Sequence, residues 1–438
     1  MHSALPKVLQ TLAGRPMLQH VIDCSREVGA DDICVVYGHG GEQVRAAFAD
    51  EGLRWALQAE QLGTGHAVLQ AMPDTPDEHR VLILFGDVPL LGAATIGNLL
   101  EGCAEDEVAV LTVHMDEPYG YGRIVREHGA VVRNVEERDA SDAEKRITEI
   151  NSGVMCCPAS CLKVWLDRLK NDNSQGEYYL TDVLGMAVED GVIVNGIEAG
   201  HQVEVMGIND KKQLAQAERA LQRRLVGELM DRGVTFADPG RVDIRGQLTC
   251  GRDVFIDVNV VFEGEVALGD EVRVGMNNLL RDSKVGHGTV IRANCHIEGA
   301  VTGEKCIVGP FSRLRPGAEL SNEVRIGNFV EIKKSTIADG SKVNHLSYIG
   351  DADIGRDVNV GAGTITCNYD GANKHRTTIG DNAFIGSGVE LVAPVEVGKG
   401  ATIGAGSTIS RSAPEGQLTL GRAKQTTVHG WTPPTKKQ

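Results

Sequence analysis

At 438 residues the chain is too long for one ordinary domain of roughly 100 to 200 residues, so two or three domains are expected. Its 44 basic and 60 acidic residues leave a net charge of −16, which argues against nonspecific binding to nucleic acid or to an anionic membrane surface. The apolar fraction is 42% but aromatics make up only 4%, so the core is expected to be aliphatic.

No run approaches roughly 18 apolar residues and no basic and apolar leader opens the chain; neither a membrane span nor a secretion signal is expected, and the location is expected to be cytoplasmic. The ten cysteines form no CxxC pair, and Cys156, Cys157 and Cys161 lack the usual zinc spacing. They read as free thiols in a reducing compartment.

In chain order, residues 17–29 have helical periodicity, while 33–37, 81–85 and 108–113 are short apolar runs. Runs that apolar predict strands buried on both faces, and their alternation with helical stretches predicts an open, mostly parallel α/β sheet. Ligands of such sheets sit beyond the carboxyl ends of the strands. Gly86-Asp87 falls there, directly after Val-Leu-Ile-Leu-Phe, and Gln61-Leu-Gly63-Thr64-Gly65 places a flexible loop ahead of a helix, where it could cradle phosphate. On spacing alone Asp87 also fits a helix cap or surface turn, and Lys7 a solvated lysine.

Residues 211–231 carry Leu214, Ala217, Leu221, Leu225 and Leu229 at helical spacing, and Asp238-Pro239-Gly240 ends that pattern. From Ile256 onward an apolar residue returns every sixth position, through Phe262, Leu268, Val274 and Leu280, and after short slips through to Ile403 and Ile409. A period of six fits neither a free helix nor a simple strand, and predicts a parallel β-helix whose stacked coils bury each repeated side chain against its copies. Gly after the aliphatic, as in Gly327, Gly386 and Gly404, suits a sharp corner or a positive φ. The polar stretch 366–378 is expected to protrude as a loop, and the tail after Ile409 to be irregular. The expected division is 1–208, a connecting helix 209–232, the coil 233–410 and a tail 411–438.

Several motifs carry a resemblance. Leu5-Pro-Lys-Val-Leu9, Leu57-Gln-Ala-Glu-Gln-Leu-Gly-Thr-Gly-His66, Gly86-Asp87, Tyr121-Gly-Arg123, Gln175-Gly-Glu-Tyr-Tyr-Leu-Thr-Asp182 and Gly361-Ala-Gly-Thr-Ile-Thr-Cys-Asn-Tyr-Asp-Gly-Ala-Asn-Lys374 resemble the bacterial bifunctional N-acetylglucosamine-1-phosphate uridyltransferase/glucosamine-1-phosphate N-acetyltransferases, in the same domain order. The resemblance implies a Rossmann-like nucleotidyltransferase domain followed by a left-handed β-helix that trimerises. It also implies two reactions that make UDP-N-acetylglucosamine for peptidoglycan and lipopolysaccharide. The implied substrates are UTP, N-acetylglucosamine-1-phosphate, glucosamine-1-phosphate and acetyl-CoA, with Mg²⁺ as cofactor. In this family a strand and a loop ending Gly-x-Gly-Thr-Arg-Met precede the Leu-Pro-Lys segment, where here only Met1 to Ala4 stand. A chain without them is expected to be crippled in uridylyl transfer.

For uridylyl transfer the resemblance assigns metal binding to Asp87 and Asn209, and phosphate neutralisation to Lys7. Nucleotide contacts fall on Gln58, Gly63, Thr64 and Gly86, and sugar contacts on Gly122, Glu136, Asn151 and Thr181. Phe85 stands where the family often has Tyr. For acetyl transfer it makes His345 the base and Glu331 the carboxylate that orients it. Arg315 and Lys333 bind the sugar phosphate, Tyr348, Asn359 and Asn368 the sugar, and Ala362, Tyr369, Ser387, Ala405 and Arg422 acetyl-CoA. By residue type alone a lone coil histidine is more often solvent-facing, but an imidazole titrates near neutrality and an attacking amine needs a base. Arg315 and Lys333 lie 18 residues apart, three hexapeptides, which predicts that they stack on one face one coil apart. His345, 12 residues further, falls on another face, so the complete site is expected to draw on an adjacent subunit.

Other readings stay open on the sequence. One is a chain in which only the acetyltransferase works, and another a related sugar-nucleotide pyrophosphorylase with a structural coil. A third is a purely structural β-helix that offers the 366–378 loop to a partner. A carbonic-anhydrase-type metal site would need converging histidines, and His287, His296, His345 and His375 are scattered.

Overall fold

A computed structural model describes residues 1, 3–38, 40–434 and 436. The chain forms two compact units, Met1–Leu221 and Gln222–Gln438, and the division falls inside the helix Lys211–Asp231 rather than at either end of it. No helix among the described residues is long and apolar enough to cross a membrane.

The first unit alternates strands and helices: α1 (Met17–Glu27), β1 (Cys34–Tyr37), β2 (Arg54–Leu57), α2 (Thr64–Ala71), β3 (Arg80–Ile83), α3 (Ala93–Glu101), β4 (Val108–His114), β5 (Arg123–Glu127), β6 (Ala130–Val135), β7 (Glu149–Pro158), α4 (Ala159–Arg168), α5 (Val183–Glu189) and β8 (Val194–Glu198). The α/β class follows, but the sheet is mixed rather than mostly parallel. β1 with β2 and β4 with β8 run parallel, whereas β7 runs antiparallel to β3, β4 and β5, and β5 with β6 forms an antiparallel hairpin.

Of the three apolar runs, only the last is buried as expected. Val108 to Val113 are all inaccessible, while β1 is half-buried along its length and β3 has one buried residue in four. The cause is topological: among the described residues β1 pairs only with β2, and β3 only with β7, so each has one unpaired edge.

The second unit is the predicted coil, with three parallel sheet faces. Its strands are two to nine residues long, and each pairs in register with strands one coil above and below, as in Val360↔Ile385↔Ile403. Every repeated apolar residue from Ile256 to Ile409 is buried in one continuous core. Its first strand, Thr235–Phe236, pairs with Phe255–Ile256, inside the expected 233–410. Strand pairing runs past the expected end, since Leu418–Thr419 pairs with Thr402–Ile403.

The protruding loop is narrower than 366–378. Thr366 and Thr377 are buried on the coil, the Thr366 hydroxyl accepting from Gly350 N–H at 2.8 Å, so only the stretch between them projects. The corner glycines act by close approach rather than by φ. A Cβ on Gly327 would lie 1.9 Å from the Asn344 carbonyl oxygen of the next coil. Left-handed backbone is carried at other corners by Asn259, Asn277 and Asn294, at φ of 58°, 59° and 62°. Asn tolerates that region.

A buried, stacked aliphatic should be costly to truncate. Ile385→Ala is expected to lower the stability of the coil by about 2 to 5 kcal/mol, read as a fall in the urea midpoint of the circular dichroism signal. Lys342→Ala on the outer surface should stay within about 0.5 kcal/mol. Equal losses would contradict the stacked core.

In the first unit, burial pushes the Asp182 carboxyl up to about 6, with Glu136, Asp139 and Asp172 adding to the rise. A carboxyl raised on folding disfavours the folded state wherever it must ionise. The penalty is absent below the unfolded value near 3.8, grows through about 6 and is complete above it. Asp182→Asn should therefore stabilise this unit by about 1 to 2 kcal/mol at pH 8, discounted for partial exposure, and by nothing at pH 3.5. Urea titrations at the two pH values check this, and an equal gain at both would refute the assignment.

Candidate active sites

In the first unit a short turn, Lys7–Leu9, presents Lys7 to the segment that follows β3. The Lys7 ammonium donates to Asp87 at 2.5 Å and to the Asn209 side-chain oxygen at 2.9 Å. Ile208 N–H donates to the Asp87 carbonyl at 2.9 Å, which keeps the two oxygen donors together. Gly86 lies beside them, where a Cβ would be a tight 3.3 Å from the Val8 side chain. Two hard oxygens thus converge on one cation. No group of three or more His, Cys, Asp or Glu able to hold a metal exists among the described residues. A divalent ion at Asp87 and Asn209 would draw its other ligands from phosphate and water, the way Mg²⁺ is usually held.

The glycine loop is stitched to a second segment. Gly65 N–H donates to the Tyr178 carbonyl and Tyr178 N–H to Leu62, both at 2.8 Å, and Leu180 N–H reaches the Thr64 hydroxyl at 3.1 Å. Gly63 has φ 113°, and a Cβ on it would lie 2.7 Å from the Tyr178 carbonyl oxygen, so only glycine fits. Gln58 holds the loop from inside by donating to the Gly63 carbonyl at 3.0 Å. Thr181, at the end of the stitched segment, donates to Glu136 at 2.8 Å, which also accepts from Asn134 at 2.8 Å.

Gly122 and Asn151 adjoin this group, with Asn151 N–H donating to the Gly122 carbonyl at 2.9 Å. The side-chain nitrogen of Asn151 and the side-chain oxygen of Asn134 are buried without a partner among the described residues. An orphaned buried donor and acceptor, on two residues that both touch Gly122, suit a hydroxylated ligand. Asn134 was not legible as a site residue; its signal is the contact with Gly122, where a Cβ would meet its side chain at 2.5 Å.

In the coil, Arg315 and Lys333 occupy adjacent rungs of one face, as their spacing predicts; Leu314 pairs with Ile332 and Arg315 N–H donates to the Ile332 carbonyl at 2.9 Å. A third cation joins them. The Lys374 ammonium, followed by burial and by Arg315, pushes Lys333 below the usual lysine range. Lys374 belongs to the projecting loop and went unassigned, because no coil spacing places a loop residue. Tyr348 lies one rung beyond Glu331, and Asn368 approaches its hydroxyl at 3.5 Å while donating to Asp351.

His345 differs from expectation in its partner. Within the chain its Nδ1 hydrogen-bonds the Asn328 side-chain oxygen at 3.0 Å, which makes Nδ1–H the donor, and in the neutral ring Nε2 then carries the lone pair. Glu331 instead accepts from Arg315 at 2.9 Å. The reason is register: Asn328 is directly opposite His345, whereas Glu331 sits on the next face, beside Arg315.

His345 heads a column. Gly363 N–H donates to the His345 carbonyl, Gly388 N–H to Ala362 and Gly406 N–H to Ser387, so His345, Ala362, Ser387 and Ala405 stack on successive coils. Arg422 closes the column by donating to the Ala405 carbonyl at 2.7 Å. Tyr369 stands exposed on the projecting loop, its hydroxyl on the Gly371 carbonyl at 2.6 Å. Asn359 is not brought to the cations. It pairs with Lys342 and Phe384 on a different face.

The comparisons agree with both halves. A MobA-like NTP transferase domain matches residues 1–175, and the bacterial transferase hexapeptide, six repeats, matches residues 376–411. The chain is 56% identical over its whole length to the bifunctional protein GlmU of Aromatoleum aromaticum, covering 96% of that protein. It is 55% identical to that of an Azoarcus species and 56% identical to that of Bordetella parapertussis, each over all of this chain and 97% of the relative. With likeness of that extent running through both units, the chain belongs to the family of the bifunctional protein GlmU.

Proposed function

We propose that the coil transfers acetyl from acetyl-CoA to the amine of glucosamine-1-phosphate, and that the first unit joins the N-acetylated product to UTP with release of pyrophosphate. The observation that carries the first reading is the column from His345 to Arg422. Coils stack at about 4.8 Å, so four steps make a furrow of roughly 19 Å, floored by Ala and Ser. It suits a long, thin ligand with a reactive end at the histidine and an anionic group at the arginine. His345 Nε2 takes a proton from the amine, nitrogen attacks the thioester carbonyl, the carbon–sulfur bond breaks and CoA leaves as the thiol. Arg315, Lys333 and Lys374 hold the sugar phosphate.

For the first unit, Lys7 neutralises phosphate charge while the Gly63 to Gly65 loop and α2 present backbone donors to the nucleotide. Glu136, Asn151 and Thr181 orient the sugar for attack of its phosphate oxygen on the α-phosphorus. Mg²⁺ held at Asp87 and Asn209 would neutralise charge building on the phosphates.

The coil is proposed to act as a trimer. Phe311, Phe329 and Leu346, at 50%, 56% and 62% exposure, form an apolar column at the corner beside His345, the two rings stacked 5.3 Å apart. A neighbouring copy seated there would cover it, and would also supply the groups that one chain places on different faces.

Separate assays test both reactions. His345→Ala should lower CoA release roughly 10²- to 10⁴-fold and leave pyrophosphate release intact. Normal acetylation by that variant would sink the role of His345. Conversely, Lys7→Ala should lower pyrophosphate release roughly 10²- to 10³-fold and spare CoA release, measured on the same preparations. Unchanged pyrophosphate release would remove Lys7 from the mechanism.

A further inference from the structure

The stretch between the coil strands Ile365–Cys367 and Thr377–Ile379 projects, yet it is closed on itself. Tyr369 pairs with Lys374 in an antiparallel bridge, and Asp370 N–H donates to the Asn373 carbonyl at 3.1 Å. One carboxylate fastens the turn. Asp370 accepts from the N–H groups of Ala372 and Asn373 at 2.8 and 2.6 Å, and through its other oxygen from His375 Nε2 at 2.7 Å. Asn373 N–H, then His375 and Ala372 N–H, hold the Asp370 carboxyl well below the usual carboxylate range, so it stays charged. A charged carboxylate cannot donate, and Nε2 therefore carries the proton of that bond.

The root of the loop is tied to the rung of Lys333. Asp351 N–H donates to the Lys333 carbonyl at 3.0 Å, the Asn368 side chain donates to the Asp351 carboxylate, and His375 N–H returns to the Asn368 carbonyl at 2.9 Å. Lys374, one residue before His375, thus leaves the loop beside Lys333, with Arg315 on the neighbouring rung. An ammonium brought toward two cations is repelled by both, and on a slack loop its flexible stem would carry it back to water. Closure of the backbone has to oppose that repulsion.

We propose that Asp370 and His375 are positioning residues for acetyl transfer, which fasten the loop so that the Lys374 ammonium stays beside Lys333 and Arg315 before the sugar phosphate arrives. The inference rests on the reading of the coil as an acetyltransferase and deepens it. The loop is ordered in folding rather than at binding, and affinity for the phosphate gains accordingly. Both residues act through Lys374 and need no contact with the substrate.

A double-mutant cycle on the full chain tests this. Asp370→Ala should raise the KM for glucosamine-1-phosphate at least about tenfold, and His375→Ala about threefold, with kcat within about twofold of the parent. In a Lys374→Ala background, whose own KM is raised at least as far, neither substitution should raise it further. Additive effects overturn the proposal, because a loop held for stability alone would add its loss to that of the lysine. So does an unchanged KM for Asp370→Ala. A second readout needs no turnover. Trace acetic anhydride labels Lys333 at a series of pH values, and mass spectrometry follows its titration, on which Lys374, Arg315 and Asp351 are the charged groups that act. Asp370→Ala and Lys374→Ala should both move that titration to higher pH. A titration that Asp370→Ala leaves in place overturns the proposal. Parent protein that releases no CoA would refute the acetyltransferase reading instead, and the labelling would then decide the role of Asp370 by itself.

Discussion

Each coil of the second unit rests on the next at backbone hydrogen-bonding distance, and the rest of the coil depends on that spacing. A side chain buried in one rung meets its counterpart in the next, as Val360, Ile385 and Ile403 do. The same repetition acts outside, where it lines up whatever residues stand at one corner. His345, Ala362, Ser387, Ala405 and Arg422 are scattered over 78 positions of sequence, yet they form one straight column because their spacings are close to whole coils. The loop before Thr377 adds seven or eight residues between Ala362 and Ser387 without disturbing the column, since it leaves after Ile365–Cys367 on one face and returns at Thr377–Ile379 on the next, at a single corner.

The first unit obeys a different constraint. Apart from Asn151 on β7 and Thr64 at the start of α2, its candidate site residues sit on loops and short turns, held by hydrogen bonds across the chain rather than by repetition. Lys7 is fixed by Asp87 and Asn209, the glycine loop by Tyr178, and Thr181 by Glu136. Such a site is only as rigid as the strands beneath it. β3 leads into Gly86-Asp87, and among the described residues it pairs with β7 alone.

Legibility in the sequence follows the same division. The coil could be read almost residue by residue, because a period of six leaves a mark that no other fold leaves, and Arg315 above Lys333 is simple arithmetic on that period. Where the coil breaks its own rule the sequence is silent: Lys374 comes from the loop, and Asn328 was passed over as the partner of His345 although it stands 17 residues earlier, one coil away. In the first unit the α/β class and the placing of Asp87 after a strand were legible. Mixed strand direction was not, because apolar runs record burial and not polarity of the chain. Nor did the runs at 33–37 and 81–85 reveal that their burial is incomplete, since the sequence shows what a strand could bury and not what lies beside it.

The convergence of Arg315, Lys333 and Lys374 is the sharpest electrostatic fact of the coil. Three cations drawn to one place repel, and the depressed basicity of Lys333 records that repulsion. Glu331 answers one of them, through Arg315, with Glu298 adding from further off, and Asp351 acts on Lys333 at longer range, but among the described residues neither lysine is in an ion pair. A fold under no other demand would replace one of these residues at little cost, because all three are on the surface. Holding them together suits a ligand that brings negative charge, and the sugar phosphate proposed for this place would bring it with a geometry that guanidinium and ammonium groups both match. Repulsion in the free protein would thereby be converted into affinity for such an anion.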